Sequence, residues 1–111
     1  MRLLLVLSAG FLLGPQQTPS SIAGTWRSVL DLAGGPLPFE LAVAAKDGRM
    51  VARICNGPKC ADQALVTQTG STVVFDIADY AATITAERKG DSLVGVYHNV
   101  GRNGPRSIPF R

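Results

Sequence analysis

Two cysteines, Cys55 and Cys60, are the residues of this chain most able to do chemistry, and they are separated only by Asn-Gly-Pro-Lys. That spacing flanks a tight hairpin loop, so the two Cβ atoms can come opposite one another, as a disulfide requires. Redox exchange is the sharper alternative, because a disulfide exposed at a loop can react with thiols. Against it, the spacing is C-x4-C rather than C-x-x-C, no helix N-terminus is in prospect to acidify a thiol, and Lys59 is the one nearby cation. Two cysteines and a single distant histidine make a poor zinc set.

The remaining reactive side chains are scattered. His98 is the sole histidine, and alternation puts it on the outer face of its strand with no nucleophile or acid in reach. Asp76 and Asp79 lie three apart around a strand end, where carboxylates cap turns. Gly101-Arg102-Asn103-Gly104-Pro105 has two glycines but no following helix to cradle a phosphate, so it reads as a loop. Arg102, Arg106 and Arg111 make a slight basic bias near the end. Elsewhere the charges alternate in sign, as at Lys46-Asp47 and Glu87-Arg88-Lys89-Gly90-Asp91, unlike the clustered bases of a nucleic-acid footprint, so no nucleic-acid partner is expected.

Any such groups must be positioned by β-strands. From Ile22 onward apolar residues recur at every second position, interrupted by Gly, Pro, Asp and Asn, which predicts a meander of eight short antiparallel strands. The expected strands are 23–32, 37–45, 49–56, 60–67, 72–77, 81–88, 92–100 and 106–110, with Asp47-Gly48 as a two-residue hairpin turn. The fourth has a poor pattern. The inward set comprises Trp26, Leu30, Leu32, Leu37, Phe39, Leu41, Val43, Met50, Ala52, Ile54, Val73, Phe75, Ala82, Ile84, Ala86, Leu93, Gly95, Tyr97, Ile108 and Phe110. Eight strands joined by short turns leave two edges that closure removes, so the fold class is all-β, an up-and-down lipocalin-like barrel, with a two-sheet β-sandwich as the alternative. A barrel of that size is filled by side chains or just holds one small ligand. The bulky inward residues predict a mostly filled interior with at most a shallow pocket.

The first residues have the shape of a secretory leader. Met1-Arg2 precedes an apolar run from Leu3 to Leu7 and then Phe11-Leu12-Leu13, far short of the roughly twenty residues a membrane span needs. Residues 1–21 are therefore expected to be a signal peptide and polar linker, with cleavage between Gly14 and Ser21, and residues 22–111 one domain. No membrane span is expected after the leader is removed, and no cysteine follows the run to carry a lipid anchor. Export, to the periplasm or beyond the cell, makes a structural Cys55–Cys60 bridge the default.

Gly24-x-Trp26 on the first strand resembles the opening of the calycin superfamily of lipocalin-like barrels. That likeness implies that Trp26 plugs one end of the barrel and that an arginine of the last strand, Arg106 or Arg111, stacks over it. The fuller string is Gly24-x-Trp26, Gly35-x-Leu37-Pro38-Phe39-x-Leu41, Asn56-Gly57, Val74-x-Asp76 leading to Tyr80, Leu93-x-Gly95-x-Tyr97 and Ile108-Pro109-Phe110. It looks like the N-terminal β domain that precedes the thioredoxin-like domain in TlpA-type exported thiol–disulfide oxidoreductases of the AhpC/TSA superfamily.

That resemblance implies a non-catalytic accessory module without a cofactor, partnered by a thioredoxin-like domain or protein whose C-x-x-C motif does the redox chemistry. This chain has no such motif, which fits either a stand-alone domain or a truncated reading frame, and its cysteine pair departs from the family pattern at the Asn-Gly hairpin. Two other functions stand beside the accessory role. One is a lipocalin-like carrier of a small apolar ligand near Trp26, Phe39, Phe75 and Tyr97; the other is thiol exchange through Cys55 and Cys60.

Overall fold

A computed structural model describes residues 21–102 and 104–111, with the side chains of residues 61 and 62 outside that description. The expected leader, residues 1–20, and Asn103 of the last loop also lie outside the described residues. The chain forms eight strands: β1 (Gly24–Leu32), β2 (Gly35–Lys46), β3 (Arg49–Asn56), β4 (Lys59–Thr69), β5 (Thr72–Ile77), β6 (Ala82–Lys89), β7 (Ser92–Gly101) and β8 (Gly104–Phe110). Each is antiparallel to its neighbours in sequence, and β1 meets β8 to close a barrel. The sandwich alternative is excluded by that closure.

The period-two pattern puts one face of every strand inside. Leu41, Val43, Ala52, Val73, Phe75, Ile77, Ala82, Ile84, Ala86, Leu93 and Phe110 are buried in one core, with Trp26, Phe39, Met50, Ile54 and Tyr97 packed half-buried against it. Burying a side chain of the size of Phe75 or Leu41 stabilises by about 1.5–3 kcal/mol. Apolar residues point in and charged residues point out, the reverse of the alternation in lipid-facing barrels. Among the described residues no helix is long and apolar enough to cross a membrane.

Three departures from the expected pattern have local causes. Leu32 and Leu37, expected inside, are 37% and 43% exposed because they stand at a rim rather than in the middle of the barrel. Cys55, out of phase with Ile54, is buried because the β3–β4 register shifts between Arg53 and Cys55. That bulge turns two consecutive side chains toward one side. The poorly patterned β4 is a full strand whose inward residues are Ala64 and Val66, while the larger Leu65 faces out at 47% exposure.

One closing pair is short. β1 and β8 share the Leu30–Phe110 pairing, and Val29 exchanges two backbone hydrogen bonds with Arg111 at 2.7 and 3.1 Å. Gly95 sits opposite Phe110 on β7, and any Cβ there would meet the Thr85 carbonyl and approach Ala86 Cα to 2.6 Å. β7 thus crosses β6 at a distance open only to glycine, and the Phe110 ring fills the interior beside it.

Candidate functional site

The two ends of the barrel differ. At the end carrying the β2–β3, β4–β5 and β6–β7 turns, the segment before β1 folds back across the opening. Ile22 is fully buried there, and the Trp26 indole donates to the Ile22 carbonyl at 2.8 Å. Gly24, at φ +129°, makes the bend from that crossing segment into the wall, a backbone conformation L side chains rarely adopt. The Arg88 guanidinium lies 5.3 Å from the Trp26 ring centroid and donates to the Ser21 carbonyl at 3.1 Å, while its Nε donates to the Gly90 carbonyl at 2.9 Å. This end is closed by an apolar plug, an indole and a stacked cation.

The cation over Trp26 therefore comes from β6 and not from the last strand. Arg106, on β8, donates to Asn99 Oδ1 at 3.0 Å, and its stem packs on Gly101. Arg111 grips Asp31 on the outer wall with two hydrogen bonds of 3.0 and 3.1 Å, which hold the Asp31 carboxyl below its ordinary range. Both arginines are too far along or outside the wall to cover the indole.

The opposite end is open. Leu30, Leu37, Pro38, Phe39, Ile54, Ile77, Ile84 and both tyrosines, Tyr80 and Tyr97, line an apolar concavity of about 200 Å³ at the mouth, with Asn56 at its edge. The Phe39 ring of its lining packs against the buried Phe110 ring, with centroids 6.2 Å apart and planes tilted by 50°. On its wall the Tyr97 hydroxyl accepts a hydrogen bond of 3.3 Å from the Asn99 amide, whose Oδ1 in turn accepts from Arg106. The single 3-10 turn Ala78–Tyr80 carries Tyr80 over the rim, 56% exposed.

Of the four aromatic residues expected near a ligand, Phe39 and Tyr97 line the mouth, Phe75 is sealed in the core, and Trp26 belongs to the closed end. Leu37, expected inside, and Tyr80, given no site role in the sequence analysis, are both exposed at the rim. Sequence supplied a signal for each, since a tyrosine beside a turn and a leucine after Gly-Pro both flank a strand end.

Cys55 and Cys60 face each other directly across the β3–β4 hairpin and are bonded, with Cα atoms 3.9 Å apart. Arg53 donates to the Cys60 carbonyl at 3.3 Å. Cys55 is buried, and the hairpin stands at the mouth end of the barrel, so the bridge clamps one wall of the mouth. His98 shares a hydrogen bond of 3.0 Å with Ser107 on the outer face. Asp76 is exposed on β5 and Asp79 lies in the 3-10 turn. Among the described residues no three His, Cys, Asp or Glu side chains gather as a metal would need, and both cysteines are in the bridge.

Comparison with known proteins finds no family model, no curated relative and no solved structure that matches this chain.

Proposed function

We propose that the chain is a non-catalytic accessory domain of an exported system, and that its working surface is the open mouth, which seats one small apolar group. The observation that carries this reading is the asymmetry of the ends. One is stoppered by Ile22, Trp26 and Arg88, whereas the other leaves Leu37, Phe39, Ile54, Tyr80 and Tyr97 around an unfilled apolar hollow. A hollow of about 200 Å³ is below the usual range for drug-sized ligands, roughly 300–1,000 Å³, and suits a single ring or a branched aliphatic chain. The likeness to the β domain of TlpA-type oxidoreductases supports a thioredoxin-like partner as the source of any redox chemistry.

Indole and cyclohexanol are suitable probes. Titration of either should move the amide resonances of Phe39, Ile54 and Tyr97 saturably and leave Trp26 unmoved. A Leu37→Glu rim variant should weaken binding by roughly tenfold, the equivalent of about 1.4 kcal/mol. No saturable shift, or shifts centred on Trp26, would overturn the reading.

Thiol exchange through the bridge is a second reading, favoured by one observation: Cys60 is only half-buried. Cys55→Ser with Cys60→Ser should leave insulin reduction at the same background level as the parent chain if the bridge is structural. Parent activity above background that the double variant abolishes would establish exchange.

A further inference from the structure

The inner face of the β7–β8 hairpin continues past the hollow at the open mouth. Tyr97 on β7 lines the hollow and stands opposite Ile108 on β8; one rung further toward the hairpin turn, on the same face, Asn99 stands opposite Arg106. Two polar side chains therefore share the rung just beyond the one that walls the hollow, about 7 Å along the strands.

Their hydrogen bonds fix where the charge sits. Arg106 Nε donates to Asn99 Oδ1 at 3.0 Å, and the Asn99 amide donates to the Tyr97 hydroxyl at 3.3 Å. With Nε engaged, the two terminal nitrogens of the guanidinium have no partner among the described residues, and no described carboxylate pairs with it. Having accepted from Asn99, the Tyr97 hydroxyl keeps its own proton to donate. Terminal N–H groups side by side match the two oxygens of a carboxylate, which arginine binds bidentately.

The stem of Arg106 keeps this position by lying on Gly101, where a Cβ would come within 2.9 Å of its Cδ. The other described charges at this end are the exposed Arg102 in the same hairpin, Lys59 in the β3–β4 hairpin and Asp79 in the 3-10 turn. Asp31 is already held by Arg111 on the outer wall. An unpaired cation beside an apolar hollow favours a ligand that is apolar at one end and anionic at the other.

We propose that the mouth takes a small apolar monocarboxylate, with its one ring or branched chain in the hollow and its carboxylate on Arg106 and the Tyr97 hydroxyl. This rests on the reading of the mouth as a seat for one apolar group and adds the charge that selects among such groups. The same chemistry occurs in a free acid and at the C-terminus of a peptide that ends in an apolar residue.

The test compares 3-phenylpropionate with 3-phenylpropionamide at neutral pH, two molecules of one shape that differ in charge. Both should move the Phe39, Ile54 and Tyr97 amides saturably, and the acid alone should also move the Arg106 Nε resonance. The acid should bind about fivefold more tightly than the amide, the effect of one well-aligned exposed ion pair, and added salt should narrow the gap. Arg106→Gln should make the two bind equally, with the affinity for the amide and the melting curve unchanged. Arg102→Gln removes the same charge from the same hairpin and should leave the preference in place. Acetyl-Gly-Phe with a free carboxyl separates the two sources: tighter binding than 3-phenylpropionate assigns the site to peptide ends, and weaker binding to free acids. Equal binding of acid and amide to the parent chain, or a preference lost as fully in Arg102→Gln as in Arg106→Gln, would overturn the proposal while leaving the apolar seat intact. Failure of acid, amide and indole alike to give saturable shifts would overturn the seat itself, and the proposal with it.

Discussion

Glu87 shows how much a single surface carboxylate can be tied down. It accepts hydrogen bonds from Thr72 Oγ1 at 2.5 Å and Ser71 Oγ at 2.7 Å, and these two donors, Thr72 first, lower its pKa from the ordinary value of 4.5. Asp31 is lowered in the same sense, chiefly by the hydrogen bond from Arg111. A carboxyl whose folded pKa is depressed adds stability that is present above its ordinary value and lost as the pH falls through the folded value. Stability should therefore be level from neutrality down to the ordinary carboxylate range and decline below it. Ser71→Ala with Thr72→Val should return the Glu87 titration midpoint to its ordinary value in a carboxyl carbon NMR titration. An unchanged midpoint would show that the two hydroxyls do not hold the charge. Arg88, next in the chain, is the opposite case: its position beside Glu87 and Lys89 reads as ordinary surface charge, yet the fold turns it beneath the barrel to cover Trp26.

At the scale of elements, the β3–β4 hairpin carries the most specific device. Its bulge between Arg53 and Cys55 rotates Cys55 into the interior and into register with Cys60. The bridge closes a very short loop, so on the chain-entropy model its loss should cost about 2 kcal/mol, or roughly 8–16 °C in melting temperature for a domain of this size. The Cys55→Ser, Cys60→Ser chain should show that fall in a thermal melt, and an unchanged midpoint would show that the hairpin is held by its ladder alone. The neighbouring β4 explains why its pattern was weak in the sequence. The larger side chain, Leu65, faces out and the smaller Ala64 faces in, so size ran against the period that the backbone obeys. Ala64 lies against Ala52 in the adjoining strand, and two small residues there leave room for the aromatic side chains that enter from other strands.

For the whole molecule, closure depends on the end of β8. Phe110 is fully buried, pairs with Leu30 on one side and Gly95 on the other, and packs against Phe39. Truncating a buried phenylalanine costs about 3–5 kcal/mol, a large share of the roughly 5–15 kcal/mol that holds a domain folded. Phe110→Ala should bring the Val29 and Arg111 amides to exchange rates near those of the unfolded chain under conditions where Phe75 and Ile84 stay protected. Equal protection of both groups would mean that the seam is not the weak line of the barrel.

What the amino-acid order determined alone was the side each residue takes and where the chain turns. Alternation from Trp26 to Phe110, broken at Asp47-Gly48, Gly70 and Gly90, identified eight strands and most of the core, though not Ile22, Ala64, Val66 or Ile77, because these are properties of neighbouring residues. Period two says which face of the wall a residue occupies and nothing about its height in the barrel. Leu37 and Leu41 share a face, yet one stands on a rim and the other is fully buried. Height, and every relation between distant strands, came from closure: Arg88 rather than Arg106 or Arg111 over the indole, Ile22 as the stopper, and the hollow around Phe39 and Tyr97. Those relations depend on how eight strands stagger around a common axis, a global geometry that no local stretch of sequence encodes.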